Sequence, residues 1–241
     1  MMGNGVTDEL TGNMIKEIFR HAEDVAELHA CLTSPRGTNF RLRLLQSMEL
    51  PMGETAIERL KVEAGVNEYH RHLHMLFKFG LVREQEVGGD KQYARTDLGE
   101  AAVNALREFE RRVGAEAAQA VYSAAIGPNS IRLFLRIYGV HREVDWDRLQ
   151  ISYTPAEMGC LSLFLPRTIE GISAIDKLNV ANVLVYGDDD RISMQPLKAR
   201  AVYQHLQELY RILKSNARDP TPKSPYELDA DRLSRSRARP E

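Results

Sequence analysis

The sequence predicts a mainly α-helical chain with small β-hairpins, in the α+β class, organised as two domains in tandem. Three observations lead to this expectation. Apolar residues recur at helical spacing along most of the 241 residues. Two short runs of strand-forming residues flank glycine turns, one at Gly88-Gly89 and one at Gly187. The apolar pattern around the first turn recurs about 99 residues later, which indicates an internal repeat.

Length and composition are those of an ordinary globular protein. Hydrophobic residues make up 43% of the chain and charged residues 27%. The only cysteines, Cys31 and Cys160, are too few for a disulfide framework, and we expect each to be a small buried hydrophobe. No apolar run approaches the roughly 20 residues that cross a bilayer, and the N-terminus lacks the basic region and apolar block of a secretion signal. We therefore expect a cytoplasmic protein without membrane contact.

The first 33 residues are predicted to form a separate amphipathic helix, from Glu9 to Leu32. Ile18, Val25 and Leu32 recur every seven residues, as in the seam of a coiled coil. Two interpretations remain open, because the helix could pair with a second copy of the chain or pack on its own domain. This segment also holds 6 acidic residues against 2 basic ones, so much of the net charge of −2 lies outside the next domain.

Residues 34–113 contain the pattern of a winged helix-turn-helix. Two helices separated by a tight glycine turn are followed by a hairpin around a Gly-Gly turn, the wing. Thr55 and Glu58 fit a capping box that opens the second helix of the segment. The expected elements are helices over 39–48, 55–64 and 66–79, strands over 81–87 and 92–96, and a helix from 96 toward 125 that Gly114 interrupts.

The helix over residues 66–79 carries the candidate DNA-reading surface. At about 100° per residue, its apolar side chains fall on one side and most polar side chains on the other. Asn67 is expected to cap its N-terminus, and Gly80 to end it in the left-handed conformation. We therefore expect a buried apolar stripe and an opposite face that bears cationic groups.

The sequence of this helix also resembles a known family. The run Arg71-His72-Leu73-His74-Met75-Leu76, followed by Gly80-Leu81-Val82, is similar to the recognition helix and exit of ArsR- and MarR-type bacterial regulators. Those regulators are winged-helix DNA-binding proteins, so the resemblance implies binding of double-stranded DNA. We also expect a homodimer that is associated with the nucleoid. The expected contacts to base edges are Asn67, His70, Arg71 and His74. The expected contacts to phosphates are Lys78, Lys91 and Arg95.

The second half of the chain is predicted to repeat this domain over residues 128–214, after a linker helix at 114–127. A shift of 99 places Gly88 on Gly187 and Leu98 on Leu197. The expected elements are helices at 131–138, 167–178 and 197–213 and strands at 182–186 and 191–194. A further helix is expected to begin at a capping box over 154–157. The acidic turn at 188–190 would repel phosphate, so this domain is expected to contact protein, or to contact DNA only weakly. An unrelated α/β effector or dimerisation domain remains the alternative.

Other functions are less well supported by the sequence. His70 and His74 lie one helical turn apart, but His72 points the opposite way and no further ligand is evident, so no metal or other cofactor is expected. The chain has no G-x-S-x-G, P-loop, H-E-x-x-H or paired-cysteine motif, so no enzymatic activity is expected. Residues 215–241, rich in Pro, Ser and charge, are expected to form a flexible tail.

Two alternatives to transcriptional regulation stay open. Tandem winged helices also occur in accessory proteins that hold chromosome-organising complexes together, and in plasmid-type replication initiators. The near-neutral net charge favours the protein scaffold, because DNA affinity depends on neutralising phosphate. The cationic face of the helix at 66–79 favours DNA.

Overall fold

The computed structural model describes residues 4–33, 39–140, 152–154, 156–158, 174–187 and 191–218. The described chain is mainly helical with two small antiparallel sheets, as the sequence predicts, and each sheet has three strands. It divides into two compact units. Unit 1 comprises Met1–Gly37 and Ala105–Arg211, and unit 2 comprises Thr38–Asn104 and Ile212–Glu241.

Unit 2 contains three complete helices and a sheet, which follow the predicted order, together with the first residues of one longer helix and the last residues of another. The elements are α3 (Phe40–Ser47), β1 (Met52–Gly53), α4 (Glu54–Glu63), α5 (His70–Lys78), β2 (Val82–Val87) and β3 (Asp90–Arg95). The short strand β1, which the sequence did not indicate, pairs with β3, so the strand order is β1-β3-β2. Gly88 and Gly89 have positive φ and join β2 to β3 in a two-residue turn, which confirms the predicted β-hairpin, here called the wing.

The core of unit 2 is built from the predicted stripes. Phe40, Leu44 and Leu45 of α3 are all buried, and the Asn39 side chain caps this helix by accepting a hydrogen bond from the amide of Leu42 at 3.2 Å. The helices α3 and α5 contact each other. The apolar side of α5 and the buried residues Tyr93 and Ala94, in the C-terminal half of β3, therefore share one core with α3.

Two predicted helix starts in unit 2 are wrong. The helix α4 begins at Glu54, because Gly53 still pairs with β3 and the helix starts at the next residue. Thr55 therefore lies inside the first turn of α4 and does not cap it. The helix α5 begins at His70 rather than near 66. Gly65 follows the end of α4 and has a φ of 64°, and the residues after it form the connection to α5. Asn67 is exposed in this connection and is not the N-cap of α5.

Unit 1 contains the N-terminal helices and the second sheet. Its elements are α1 (Asn4–Arg20), α2 (Ala22–Leu32), the later part of α6 (Asp97–Val113), α7 (Ala115–Ser123), α8 (Pro128–Val140), β4 (Ser152–Tyr153), α9 (Ala174–Val180), β5 (Leu184–Tyr186), β6 (Ile192–Met194) and most of α10 (Pro196–Arg218). Gly114 has a φ of 84° and separates α6 from α7, as predicted. The strand order β4-β6-β5 matches that of the first sheet.

The N-terminal segment is not a separate helix. It is broken at His21, and the proposed seam residues Ile18, Val25 and Leu32 are fully buried within unit 1. Of the two interpretations, packing on its own unit is therefore the one that the structure supports. The predicted linker helix is likewise part of this unit, because Ala118, Val121 and other side chains of α7 are buried.

Other predictions for the second half are met in part. Thr154 and Glu157 form the predicted capping box, since the Glu157 amide donates to the Thr154 hydroxyl at 3.3 Å and the Thr154 amide to the Glu157 carboxylate at 2.8 Å. The helix α10 extends to Arg218, past the predicted start of the tail. Cys31 is buried, as expected. The residues at 160, 167–173, 188–190 and 219–241 lie outside the described residues.

Two backbone hydrogen bonds of unit 2 recur in unit 1. Their spacing along the chain differs from the uniform shift of 99 residues that the sequence predicts. At the end of α5 the Leu81 amide donates to the Leu76 carbonyl, and at the end of α9 the Val183 amide donates to the Leu178 carbonyl, both at 2.9 Å. The Leu81 carbonyl then accepts from Thr96, and the Val183 carbonyl from Gln195, both at 3.0 Å. The helix ends and the first strands of the two hairpins are thus related by a shift of 102 residues, and the second strands by a shift of 99, because the second hairpin is three residues shorter.

Gly99 provides a test of the packing of unit 2. A Cβ atom at this position would lie 2.2 Å from the Leu81 carbonyl oxygen and 2.7 Å from Cγ of Arg95. We expect Gly99→Ala to lower the free energy of unfolding by about 1–3 kcal/mol or more, because the hairpin must move away from α6. Urea unfolding followed by circular dichroism measures this loss.

The matched control for this substitution is Gly139→Ala in α8. A Cβ atom there would meet Ile15 at 3.6 Å, an ordinary contact. Because alanine favours helix over glycine, this variant should be neutral or stabilised by up to about 1 kcal/mol. Equal stabilities of the two variants would contradict the close approach at Gly99.

Candidate nucleic-acid interface

The candidate interface is the outward face of α5. His70, Arg71, His74, Met75 and Lys78 fall within an arc of about 140° when the helix is numbered at 100° per residue. His70, Arg71 and Lys78 are exposed, and His74 and Met75 are half-buried. No residue of α5 is acidic, so this face combines two permanent cations with two imidazoles and contains no carboxylate.

The opposite side of α5 fixes the direction of that face. Tyr69, Leu73, Leu76 and Phe77 are buried, and the ring of Phe77 meets that of Tyr93 edge-on at 6.0 Å. Because Tyr93 lies on β3, the wing and α5 are packed against each other through these rings. Rotation of α5 about its axis would expose this apolar stripe, so the cationic face is held outward.

The three histidines of α5 have different surroundings. The ring of His70 lies 4.0 Å from that of Tyr69, and His74 is half-buried on the outward face. His72 packs edge-on against Phe40 at 5.2 Å, away from the other two, as its position in the helix predicts. Burial lowers the pKa of His72, and the charges of Arg41 and Arg71 lower it further. Among the described residues, no group of three side chains is arranged to hold a metal ion.

The C-terminal end of α5 is also anchored within unit 2. Gly80 ends the helix in the left-handed conformation with a φ of 65°, as predicted. The Asn216 side chain, from the last turns of α10, donates to the Lys78 carbonyl at 3.4 Å. The Lys78 ammonium group lies 5.5 Å from the centre of the Phe79 ring. Lys78 thus presents its charge beside an aromatic ring at the exit of the helix.

The two wing cations predicted to contact phosphate differ in placement. Lys91 is part-exposed and forms an ion pair with Glu84 across the hairpin at 3.0 Å. The Arg95 side chain is only 10% exposed, pairs with the Glu100 carboxylate and directs a second nitrogen to the Leu45 carbonyl at 3.5 Å. This placement does not suit a phosphate contact, because the guanidinium group already joins the wing to α3 and α6.

Sequence reasoning missed the structural use of Arg95 and the charge of the wing tip. The acidic Glu100, five residues after Arg95, was a visible signal that the arginine had a local partner. The exposed residues Glu86 and Asp90 flank the turn next to Lys91, so the tip is not strongly cationic. The base-edge candidate Asn67 is exposed but lies ahead of α5, in the connection from α4.

A second group of titratable residues lies in the core of unit 1. His29 of α2 and His205 of α10 are buried, and Nδ1 of His29 lies 3.3 Å from Nε2 of His205. The His205 ring stacks on Phe109 at 4.9 Å. Burial lowers the pKa of His29 to about 4 and, together with the nearby His29, lowers the pKa of His205 to about 3. Both imidazoles are therefore neutral in the folded protein near pH 7.

Comparison with family models, curated proteins and solved structures found no match to this chain. Within the part of the chain that the structure describes, no helix is long and apolar enough to span a membrane.

The histidine pair predicts an acid-labile unit 1. In the unfolded chain both imidazoles take up protons below about pH 6.5, whereas the folded core resists protonation down to about pH 4. The free energy of unfolding should therefore fall as the pH decreases from about 6.5 to 4. Urea unfolding at a series of pH values measures this slope.

Two variants assign the slope to the pair. His205→Phe keeps a ring against Phe109 but cannot take up a proton, so the pH dependence should become shallower whatever its stability at pH 7. His29→Phe removes the other imidazole of the pair and should likewise make the slope shallower. A slope that His205→Phe does not alter would show that the pair is not its source.

Proposed function

We propose that this protein is a sequence-specific DNA-binding transcriptional regulator that inserts α5 into the major groove. The observation that carries the proposal is the outward face of α5, which bears Arg71, Lys78, His70 and His74 without a carboxylate. An α-helix fits the major groove, and an exposed arginine there can pair with both acceptors of a guanine. The cationic groups supply the attraction to phosphate.

The order of elements in unit 2 supports this proposal. The helices α4 and α5 are joined by a six-residue connection, residues 64–69, that turns at Gly65, and the β2–β3 hairpin follows α5 directly. We infer that this unit is a winged helix-turn-helix, in which α5 is the recognition helix and the hairpin is the wing. Lys91 would then contact the phosphate backbone at moderate salt, in exchange with its partner Glu84.

We further propose that the second sheet belongs to another winged-helix-like domain. The shared strand order, the repeated helix end at Leu81 and Val183 and the repeated link to the following strand support this inference. The helix α5 has only nine residues, so one copy can read few base pairs. Specific binding would therefore use a homodimer whose two α5 helices read half-sites about one helical turn apart.

The central test is the replacement of Arg71. We expect Arg71→Ala to weaken binding to the preferred duplex by about 1–3 kcal/mol, or roughly 5–150-fold, and to relax the preference for guanine at one position. Selection of bound fragments from genomic DNA identifies the preferred duplex, and fluorescence anisotropy measures the affinity.

The matched control is Arg211→Ala, which removes an exposed arginine of α10 that pairs with Glu208. This variant should bind the selected duplex as the wild type does. Equal affinities of both variants and the wild type would remove α5 as the reading element.

Replacement of Lys91 should have a different effect. Lys91→Ala removes a cation of the wing without changing a base contact, so we expect all duplex sequences to bind more weakly by a similar factor. The slope of log K against log salt concentration should become shallower by about 1. Anisotropy titrations at three salt concentrations, with a selected and an unrelated duplex, measure both quantities. Loss confined to the selected duplex would place Lys91 at a base instead.

The second candidate function is a scaffold that holds other proteins together. The net charge of −2 and the acidic residues Glu86 and Asp90 beside the wing turn favour it. The carboxylate-free face of α5 does not. A scaffold would bind no duplex above low salt, so the genomic selection described above separates the two functions before any variant is made.

A further inference from the structure

Unit 1 contains a cleft between α1 and α8 that no part of the proposed function uses. Its volume is about 390 Å³, which lies within the range of small-molecule sites in proteins. The residues that line it are Gly12, Ile15, Lys16, Phe19, Arg20, Leu135, Arg136 and Gly139. All of them belong to unit 1.

The interior of the cleft is apolar because glycines leave space between the two helices. Leu135 is buried, and Ile15 and Phe19 are half-buried. Gly12 and Gly139 contribute no side chain to the walls. A Cβ atom at Gly139 would lie 3.6 Å from Cγ2 of Ile15, so a larger side chain at this position would extend into the cleft. The cleft therefore offers an apolar surface to a hydrocarbon group.

The charged residues of the cleft are all cations. Lys16, Arg20 and Arg136 line it, and no carboxylate does. The guanidinium groups of Arg132 and Arg136 each lie 5.8 Å from the centre of the Phe19 ring, so two cations are held next to the same aromatic group. Glu17 pairs with the lining residue Arg20, and Glu23 pairs with Arg132, which does not line the cleft. Neither carboxylate belongs to the residues that line the cleft. Positive charge is thus gathered at the edge of an apolar surface.

We propose that this cleft binds an amphipathic carboxylate, that is, a molecule with one alkyl chain and one terminal carboxylate. The alkyl chain lies between Ile15, Phe19 and Leu135. The carboxylate meets Arg136 and Lys16. The stretch of α1 from Gly12 to Arg20 is about 12 Å long, which suits a medium-length alkyl chain better than an acidic protein helix of several turns.

The direct test is isothermal titration calorimetry of the full chain with decanoate, below the concentration at which it forms micelles. We expect saturable binding of decanoate and at least fivefold weaker binding of decan-1-ol, which has the same chain without the charge. Arg136→Gln should weaken decanoate binding about fivefold and leave the affinity for decan-1-ol unchanged.

A pair of variants at Gly139 tests the location. Gly139→Leu fills the cleft and should abolish binding of decanoate, whereas Gly139→Ala adds a side chain at an ordinary contact distance and should keep it within about twofold. Far-UV circular dichroism shows whether each variant is folded. If Gly139→Leu does not fold, Ile15→Gln, which makes the wall polar, replaces it and should weaken binding at least fivefold.

Several results would overturn the proposal. These are the absence of decanoate binding to the wild type, equal affinity for decanoate and decan-1-ol, or binding that neither Arg136→Gln nor the cleft variants alter. Binding of an acidic amphipathic peptide in place of decanoate would show that the cleft is a protein-docking surface instead. The measurements involve no DNA, so their outcome is independent of the function proposed for α5.

Discussion

Unit 2 depends on the backbone of Leu81, which joins three elements at one residue. Its amide ends α5 by donating to the Leu76 carbonyl, and its carbonyl accepts from Thr96 at the start of α6. Gly99 approaches the same carbonyl so closely that only a hydrogen atom fits between them. The exit of α5, the return of the wing and the start of α6 are therefore fixed together. The same two hydrogen bonds are formed by Val183 at the end of α9.

The junction determines which side of α5 faces outward. With the helix end held, the buried stripe of Leu73, Leu76 and Phe77 sets the rotation of α5 about its axis, and the cationic residues occupy what remains. The cationic face of α5 is thus a consequence of core packing, and it does not depend on an excess of basic residues in the rest of the chain. This explains how a chain with a net charge of −2 can present a face without carboxylates.

The parts of the fold that depend on local pattern were predictable from the sequence. The apolar stripes of α3 and α5, the Gly88-Gly89 hairpin and the interruption at Gly114 follow from helical periodicity and from positive φ at glycine. The start of α5 was not predictable, because the turn after Gly65 depends on how α4 leaves the sheet. The predicted uniform shift of 99 residues was wrong because the second hairpin is three residues shorter than the first. The spacing of apolar residues alone does not reveal such a difference in length.

Arg95 shows why the candidate site was harder to predict than the fold. In the sequence, Lys91 and Arg95 are equivalent cations four residues apart on a wing strand. In the structure, the first is part-exposed, while the second lies against Gly99 and pairs with Glu100. The difference arises from the junction at Leu81, which draws the base of the wing against α6 and leaves its tip outside. A cation near the base of this hairpin therefore stabilises the fold of unit 2, whereas the cations at its tip and on α5 are exposed to solvent.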